Sequence, residues 1–262
     1  MLKKLKLGLI TAAVALLAVA GPAHADLSDI LKAGKIKIAI PENFPPFGSL
    51  GAEGEYVGYD VDVAKLVAKD LGVELEMVPV TSKQRIPFLE TNRVDLVISS
   101  MGANPERAKS IWFSSAYAPF YSGAFAKDDM KISSLEDLAG KKVGVTGGTL
   151  EDLELTDHGP ATMEVTRFGD NAATLSAYIS GQVDVLVTGN TVAAKLSADH
   201  PEMKLKTKLI IKESPAFIGI KKGQIDLLQW VNVFILHKKL GGQLNTLSEK
   251  WLGQKLPPLP SL

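Results

Sequence analysis

The sequence predicts an α/β protein of two lobes, each built on a mainly parallel sheet. Three observations carry the prediction. Short apolar runs alternate with amphipathic helical stretches from residue 36 onward. A pattern of helix end, polar turn, Val-Asp and apolar strand occurs twice, at Phe88-Leu89-Glu90-Thr91-Asn92-Arg93-Val94-Asp95-Leu96-Val97 and at Tyr178-Ile179-Ser180-Gly181-Gln182-Val183-Asp184-Val185-Leu186. Between them, residues 114–127 are apolar and aromatic with no helical period, which fits a chain crossing from one lobe to the other. Strands separated by helices imply parallel pairing through right-handed crossovers.

The elements follow in order. Residues 36–40 read as a strand and 60–71 as a helix, with Val61, Ala64, Val67 and Leu71 in one stripe and Gly72 as its stop. Residues 75–80 form a strand, 84–92 a helix and 94–99 a buried strand. Ser133-Ser134-Leu135-Glu136 reads as a capping box opening a short helix. A strand at 142–145, a helix at 149–155 and a strand at 163–168 come next. Asp170 caps a helix running to Ser180. A strand at 183–187 and a helix at 191–198 precede extended stretches at 205–211 and 216–221. The second of these falls within 214–222, the candidate return crossing. Helices at 225–240 and 243–251 rejoin lobe one, and the Pro-rich tail from 256 is extended surface chain. The resulting division is lobe one at 26–121 and 218–262, and lobe two at 122–217.

Residues 1–25 stand apart. Lys3, Lys4 and Lys6 precede an apolar run at 7–20 and then Ala23-His24-Ala25, the layout of an export signal cleaved after Ala25. The run is shorter than the roughly 20 residues of a membrane span. The whole chain carries 29 basic and 29 acidic residues. Removing three lysines and no acid leaves 26 against 29, so the mature chain of 237 residues carries about −3. Only 22% of residues are charged and there is no basic excess, which argues against a nucleic-acid partner. With no cysteine there is no disulfide, thiolate metal site, Cys nucleophile or lipid-bearing Cys after the cleavage point.

In such a fold the ligand lies in the cleft at the carboxyl ends of the strands. Ser99 to Arg107 run from a strand into a helix that Asn104 caps and Pro105 opens. Its hydroxyls, free amides and the Arg107 fork suit a carboxylate; the alternative is a tight turn beside a surface arginine. Thr146-Gly147-Gly148-Thr149 lets backbone approach a ligand, or is an ordinary capped turn, and it is not a phosphate loop of the Gly-Lys-Ser/Thr type. Arg85 either points into the cleft or sits on a helix surface. Phe44 and Phe47 either wall the pocket or simply pack. His158, His200 and His237 have no metal-type spacing, and neither a G-x-S-x-G nor a G-x-G-x-x-G motif is present.

Gly58-Tyr59-Asp60-Val61-Asp62-Val63-Ala64, with Val67-Ala68 and Leu71 behind it, resembles the signature of the polar amino-acid family of bacterial periplasmic solute-binding proteins. The resemblance extends to Phe44-Pro45-Pro46-Phe47, to Ser99–Arg107, to 138–145 and to Gly181-Gln182-Val183-Asp184, nearly the whole mature chain. It implies a type II periplasmic-binding-protein fold, with two α/β lobes joined by two crossing segments and closing like a hinged trap. It implies that Arg107 clamps the ligand α-carboxylate, that Ser100 and the Gly102 backbone hydrogen-bond the ligand, that Thr146 and Thr149 contact it from lobe two, and that Phe44 covers it. Arg85, followed by Ile86-Pro87, resembles the arrangement of glutamate/aspartate receptors, with Ser82 a further contact. Two departures stand out. Gly189 occupies the place of the usual ammonium-binding Asp, and Pro41, with Glu42 beside it, replaces an acid before the aromatic loop. Glu42, Glu151, Asp170 and Asn190 are the substitutes, or the ligand lacks an ordinary free α-amino group.

The expected function is therefore a monomeric, non-enzymatic periplasmic receptor without metal or cofactor. It binds a small amino acid, glutamate or aspartate first, and delivers it to the membrane permease of an ABC importer. The alternative is a lyase of the cyclohexadienyl-dehydratase type on the same scaffold, with Glu151 or Asp152 as general acid.

Overall fold

The computed structural model describes residues 26–260. The expected export signal at 1–25 lies outside the described residues, as do Ser261 and Leu262. Lobe one begins with α1 (Leu27–Ala33), which the sequence reading missed. Asp26 caps α1 by accepting from the Asp29 amide, and Gly34 ends it. Strand β1 (Lys35–Pro41) leads to a small hairpin, β2 (Ser49–Leu50) and β3 (Tyr56–Val57), and then to α2 (Tyr59–Leu71). Gly58 opens α2 at φ 141° and ψ 175°, backbone that only glycine adopts freely, and a Cβ there would lie 2.2 Å from the Phe47 carbonyl oxygen. The lobe continues through β4 (Glu74–Val80), α3 (Arg85–Glu90), β5 (Leu96–Gly102), α4 (Pro105–Ala108) and β6 (Ile111–Ala118).

Pro119 and Phe120 carry the chain into a second sheet. There β7 (Tyr121–Lys127) is followed by β8 (Lys142–Thr146), α5 (Leu150–His158), β9 (Glu164–Phe168), α6 (Asn171–Ile179), β10 (Val185–Gly189), α7 (Asn190–Asp199) and β11 (Leu205–Glu213). Ser214 and Pro215 lead back to β12 (Ala216–Lys221), α8 (Ile225–Leu240) and α9 (Gln243–Leu252) in lobe one. The apolar stretch at 114–127 is thus two strands in two different sheets. The capping box at Ser133-Ser134 does not form either. Asp137 Oδ2 accepts the Ser133 and Ser134 amides at 2.8 and 3.1 Å, and only a 3₁₀ turn, Glu136–Leu138, follows.

Sheet one has the order β4-β1-β5-β12-β6 and sheet two β11-β7-β10-β8-β9. In each, four strands run the same way and the fifth runs against them: β12 in the first, β7 in the second. Each opposing strand is the one that arrives from the other lobe. The repeated Val-Asp falls at equivalent points, because the Asp95 amide donates to the Lys37 carbonyl of β1 and the Asp184 amide to the Lys142 carbonyl of β8, both at 2.8 Å.

Side-chain alternation covers both faces of each sheet. In lobe one, Ile36, Ile38 and Ile40 pack with Val63 and Val67 of α2 and with Val231 and Phe234 of α8. Ala39 and Val97 turn to the opposite face, against Leu89 of α3. In lobe two, Val185 and Val187 face Leu155 of α5, while Leu186 faces Tyr178 of α6 and Leu196 of α7. No helix among the described residues is long and apolar enough to cross a membrane.

Candidate functional site

The carboxyl ends of β1, β4, β5, β8 and β9 converge on a cleft between the lobes. It holds about 590 Å³ of space, solvent at its mouth included. Phe44, Ser82, Arg85, Ser100, Gly102, Arg107, Thr146 and Thr149 all line it. Asn190, the other expected ligand contact, does not. Its Oδ1 accepts the Tyr121 amide at 3.0 Å, so the side chain serves the start of β7 and lines a separate groove toward α9.

Local rules place the two arginines. Asn104 caps α4 by accepting the Arg107 amide at 2.8 Å, and Pro105 takes the first helical position. The helix is only four residues long, so it contributes little dipole. Arg107 Nη1 donates to the Gly102 carbonyl at 2.8 Å, and Nη2 donates across the cleft to the Gly148 carbonyl of lobe two at 3.0 Å. Arg85 opens α3; its Nη1 donates to the Ser99 carbonyl at 2.7 Å and its Nε to the Ser82 carbonyl at 3.2 Å. Both are buried, at 6% and 8% exposure. Burial, and next the neighbouring Arg107 charge, lower the Arg85 pKa to about 9. Burial also lowers that of Arg107, against the pull of Glu151. Among the described residues, neither guanidinium has a carboxylate in ion-pair contact.

Lobe two supplies the opposite wall. Thr149 caps α5, its hydroxyl accepting the Asp152 amide and donating to the Thr146 carbonyl; the Thr146 and Thr174 hydroxyls bond at 2.7 Å. Asp152 turns from the cleft to Arg167 Nε at 2.6 Å and to the Gly148 amide at 3.0 Å. Glu151, named above only as one of several substitutes, faces the arginines and is 3% exposed. Burial raises its carboxyl pKa, while its own amide and the Arg85 and Arg107 charges oppose the rise. Asn171, which the sequence reading missed, lines the same wall; it is 3% exposed, and neither atom of its amide has a partner.

Phe120 and the layer beneath the cleft were also missed. A Cβ on Gly189 would lie 2.1 Å from the Phe120 ring, so that ring fills the space an acid there would need. Phe120 in turn packs on Phe44 and Phe47, with ring centroids 6.2 and 5.9 Å away. Below Ser100, whose φ of 41° is unusual for a non-glycine residue, the Tyr117 hydroxyl accepts the Ser100 amide at 3.2 Å and donates to Asp60 Oδ1 at 2.6 Å.

Comparison with known proteins now adds to this geometry. The model of the bacterial extracellular solute-binding proteins, family 3, matches residues 36–254. The chain belongs to this family. The match makes it a solute-binding protein, which agrees with the resemblance read from the signature at 58–71. Among curated family 3 relatives, the ABC transporter glutamine-binding protein of Bacillus subtilis (strain 168) is 32% identical over 205 residues, 77% of this chain and 74% of that protein. Among solved structures, the receptor for L-cysteine of Neisseria gonorrhoeae is 28% identical with a TM-score of 0.81, covering 87% of this chain and 94% of that one. An ancestral amino acid-binding protein, described as a precursor of cyclohexadienyl dehydratase, is 34% identical with a TM-score of 0.78, covering 86% of this chain and 98% of that one. These neighbours carry the type II fold of two α/β lobes joined by two crossings, as the described residues do.

Proposed function

We propose that this family 3 protein is the periplasmic receptor of an ABC importer for an acidic amino acid, glutamate or aspartate, which it binds as a monomer and hands to the membrane permease. The observation that carries the reading is the buried charge set: two guanidiniums on lobe one, one carboxylate on lobe two, and no ion pair among them. Unpaired buried charge is strongly unfavourable, and a ligand that completes the pairing recovers that energy. The complement of two cations and one anion is two carboxylates and one ammonium. Arg107 takes the α-carboxylate and already bridges the lobes; Arg85 takes the side-chain carboxylate; the Asn171 amide completes its hydrogen bonds on the ligand. The relatives' amino-acid ligands support the class, and the resemblance at Arg85-Ile86-Pro87 supports the acidic member. The basic and apolar layout of residues 1–25, ending in Ala23-His24-Ala25, supports export to the periplasm with cleavage after Ala25.

Calorimetric titration of ligand-free protein with a panel of amino acids tests this. Glutamate and aspartate bind and neutral amino acids bind more weakly; the reverse order overturns the role of Arg85. Two charge-assisted bonds at roughly 1.5–3 kcal/mol each mean that Arg107→Ala weakens any carboxylate ligand by at least about a hundredfold. Retained affinity rejects the clamp. The lyase alternative draws on the raised Glu151 carboxyl as general acid, since Asp152 is held by Arg167. Turnover of prephenate or arogenate is the result that would favour it.

A further inference from the structure

We propose that Tyr117, anchored by Asp60, is a positioning residue for the Arg85 subsite: it fixes the Ser99–Ser100 peptide against which the Arg85 guanidinium rests. The inference rests on the acidic-ligand reading and adds to it a residue that lies outside the cleft lining.

The peptide between Ser99 and Ser100 is held from both sides. Its carbonyl, on Ser99, accepts Arg85 Nη1 at 2.7 Å, and its N–H, on Ser100, donates to the Tyr117 hydroxyl at 3.2 Å. A backbone amide can only donate, so the hydroxyl accepts there and its one proton is left for Asp60 Oδ1, 2.6 Å away. Tyr117 is fixed in turn: the Tyr59 hydroxyl donates to its carbonyl at 2.8 Å, and the two rings stack with centroids 6.0 Å apart. Tyr59, Asp60 and Tyr117 are all fully buried, and none of them lines the cleft. The sheet gives this peptide less support. Registered pairing of β5 with β12 lapses between Val97 and Met101, and β1 pairs with β5 only at Leu96 and Val97. Ser100 also sits at φ 41°, a backbone state that is unfavourable for a non-glycine residue and persists only where the surroundings impose it. The Tyr117 hydroxyl is such an imposition. Without it the peptide turns and the Ser99 carbonyl leaves Arg85. The guanidinium then keeps only its Nε bond to the Ser82 carbonyl and is no longer aimed at a side-chain carboxylate.

Calorimetry on full-length mature protein compares L-glutamate with L-glutamine in the wild type and in Tyr117→Phe, with thermal melts to check folding. The expected result is that the wild type prefers glutamate and that the substitution reduces this preference by about fivefold or more, as for the loss of one ordinary hydrogen bond. A tyrosine that only supports the fold weakens both ligands alike, so an unchanged ratio overturns the proposal while leaving the acidic-ligand reading intact. A wild type with no preference for glutamate overturns that reading, and this proposal with it. Should Tyr117→Phe fail to fold, amide hydrogen exchange in the ligand-free wild type decides. The Ser100 amide then exchanges at least about a hundredfold more slowly than in an unstructured chain, and exchange at the unstructured rate overturns the proposal.

Discussion

Asp60→Asn tests whether the buried carboxyl beneath the cleft sets the pH response of the fold. Asp60 is fully buried at the start of α2, and burial is the largest influence on it, pushing its pKa up to about 7 from 3.8. The Tyr117 hydroxyl, the Ser100 amide and the Arg85 charge pull the other way without reversing it. A carboxyl raised on folding binds its proton more tightly in the folded state. Its stabilising contribution is therefore complete below about pH 4, lost progressively as the pH climbs toward 7, and gone above. A shift of about three pH units corresponds to roughly 4 kcal/mol, of which about 2 kcal/mol or more disappears between pH 5 and 8. Glu151 is also raised and adds to the same slope. Asparagine keeps an acceptor for Tyr117 and cannot ionise. Urea unfolding at pH 5 and pH 8 measures the effect: the variant gains stability relative to the wild type on going to pH 8, by about 2 kcal/mol, with m-values unchanged. Identical pH slopes in the two proteins would refute the reasoning.

Two further substitutions probe backbone and packing. Gly189→Ala drives a methyl into the Phe120 ring and costs about 1–3 kcal/mol in denaturant unfolding, most of which the added Phe120→Ala change relieves; an equal cost in both backgrounds would show that the ring is not the obstacle. Gly58→Ala meets both the 141° dihedral and the Phe47 carbonyl, so its melting temperature falls well below that of the wild type. A melting point within about 2 °C of the parent would mean that the turn relaxes without strain.

What the sequence made legible was mostly local. The stripe of α2 and its Gly72 stop, the Asn104-Pro105 start of α4, and the caps at Thr149 and Asp170 need only neighbouring residues, and each appears in the structure. The same signals mark where a helix starts better than how far it runs, and α4 ends after one turn. Residues 114–127 look uniform because β6 and β7 are both buried; that they belong to different sheets depends on partners far along the chain. Asp60 reads as an ordinary helix-start acid until Tyr117 folds over it. Burial alone separates Glu151 from Glu42 and Asp170, and no pattern in the sequence encodes it. Asn190 stands at the expected end of β10, yet the Tyr121 amide needed an acceptor and took its side chain out of the cleft.

The exchange of opposing strands governs when the receptor becomes competent. All five strands of the second sheet lie within residues 121–213, so that sheet can close as soon as the chain has been made to this point. The first cannot. Until Ala216–Lys221 inserts between β5 and β6, the strand that carries Ser100 and Gly102 has an open edge. A chain cut short before residue 216 therefore contains every clamp residue and still lacks a site.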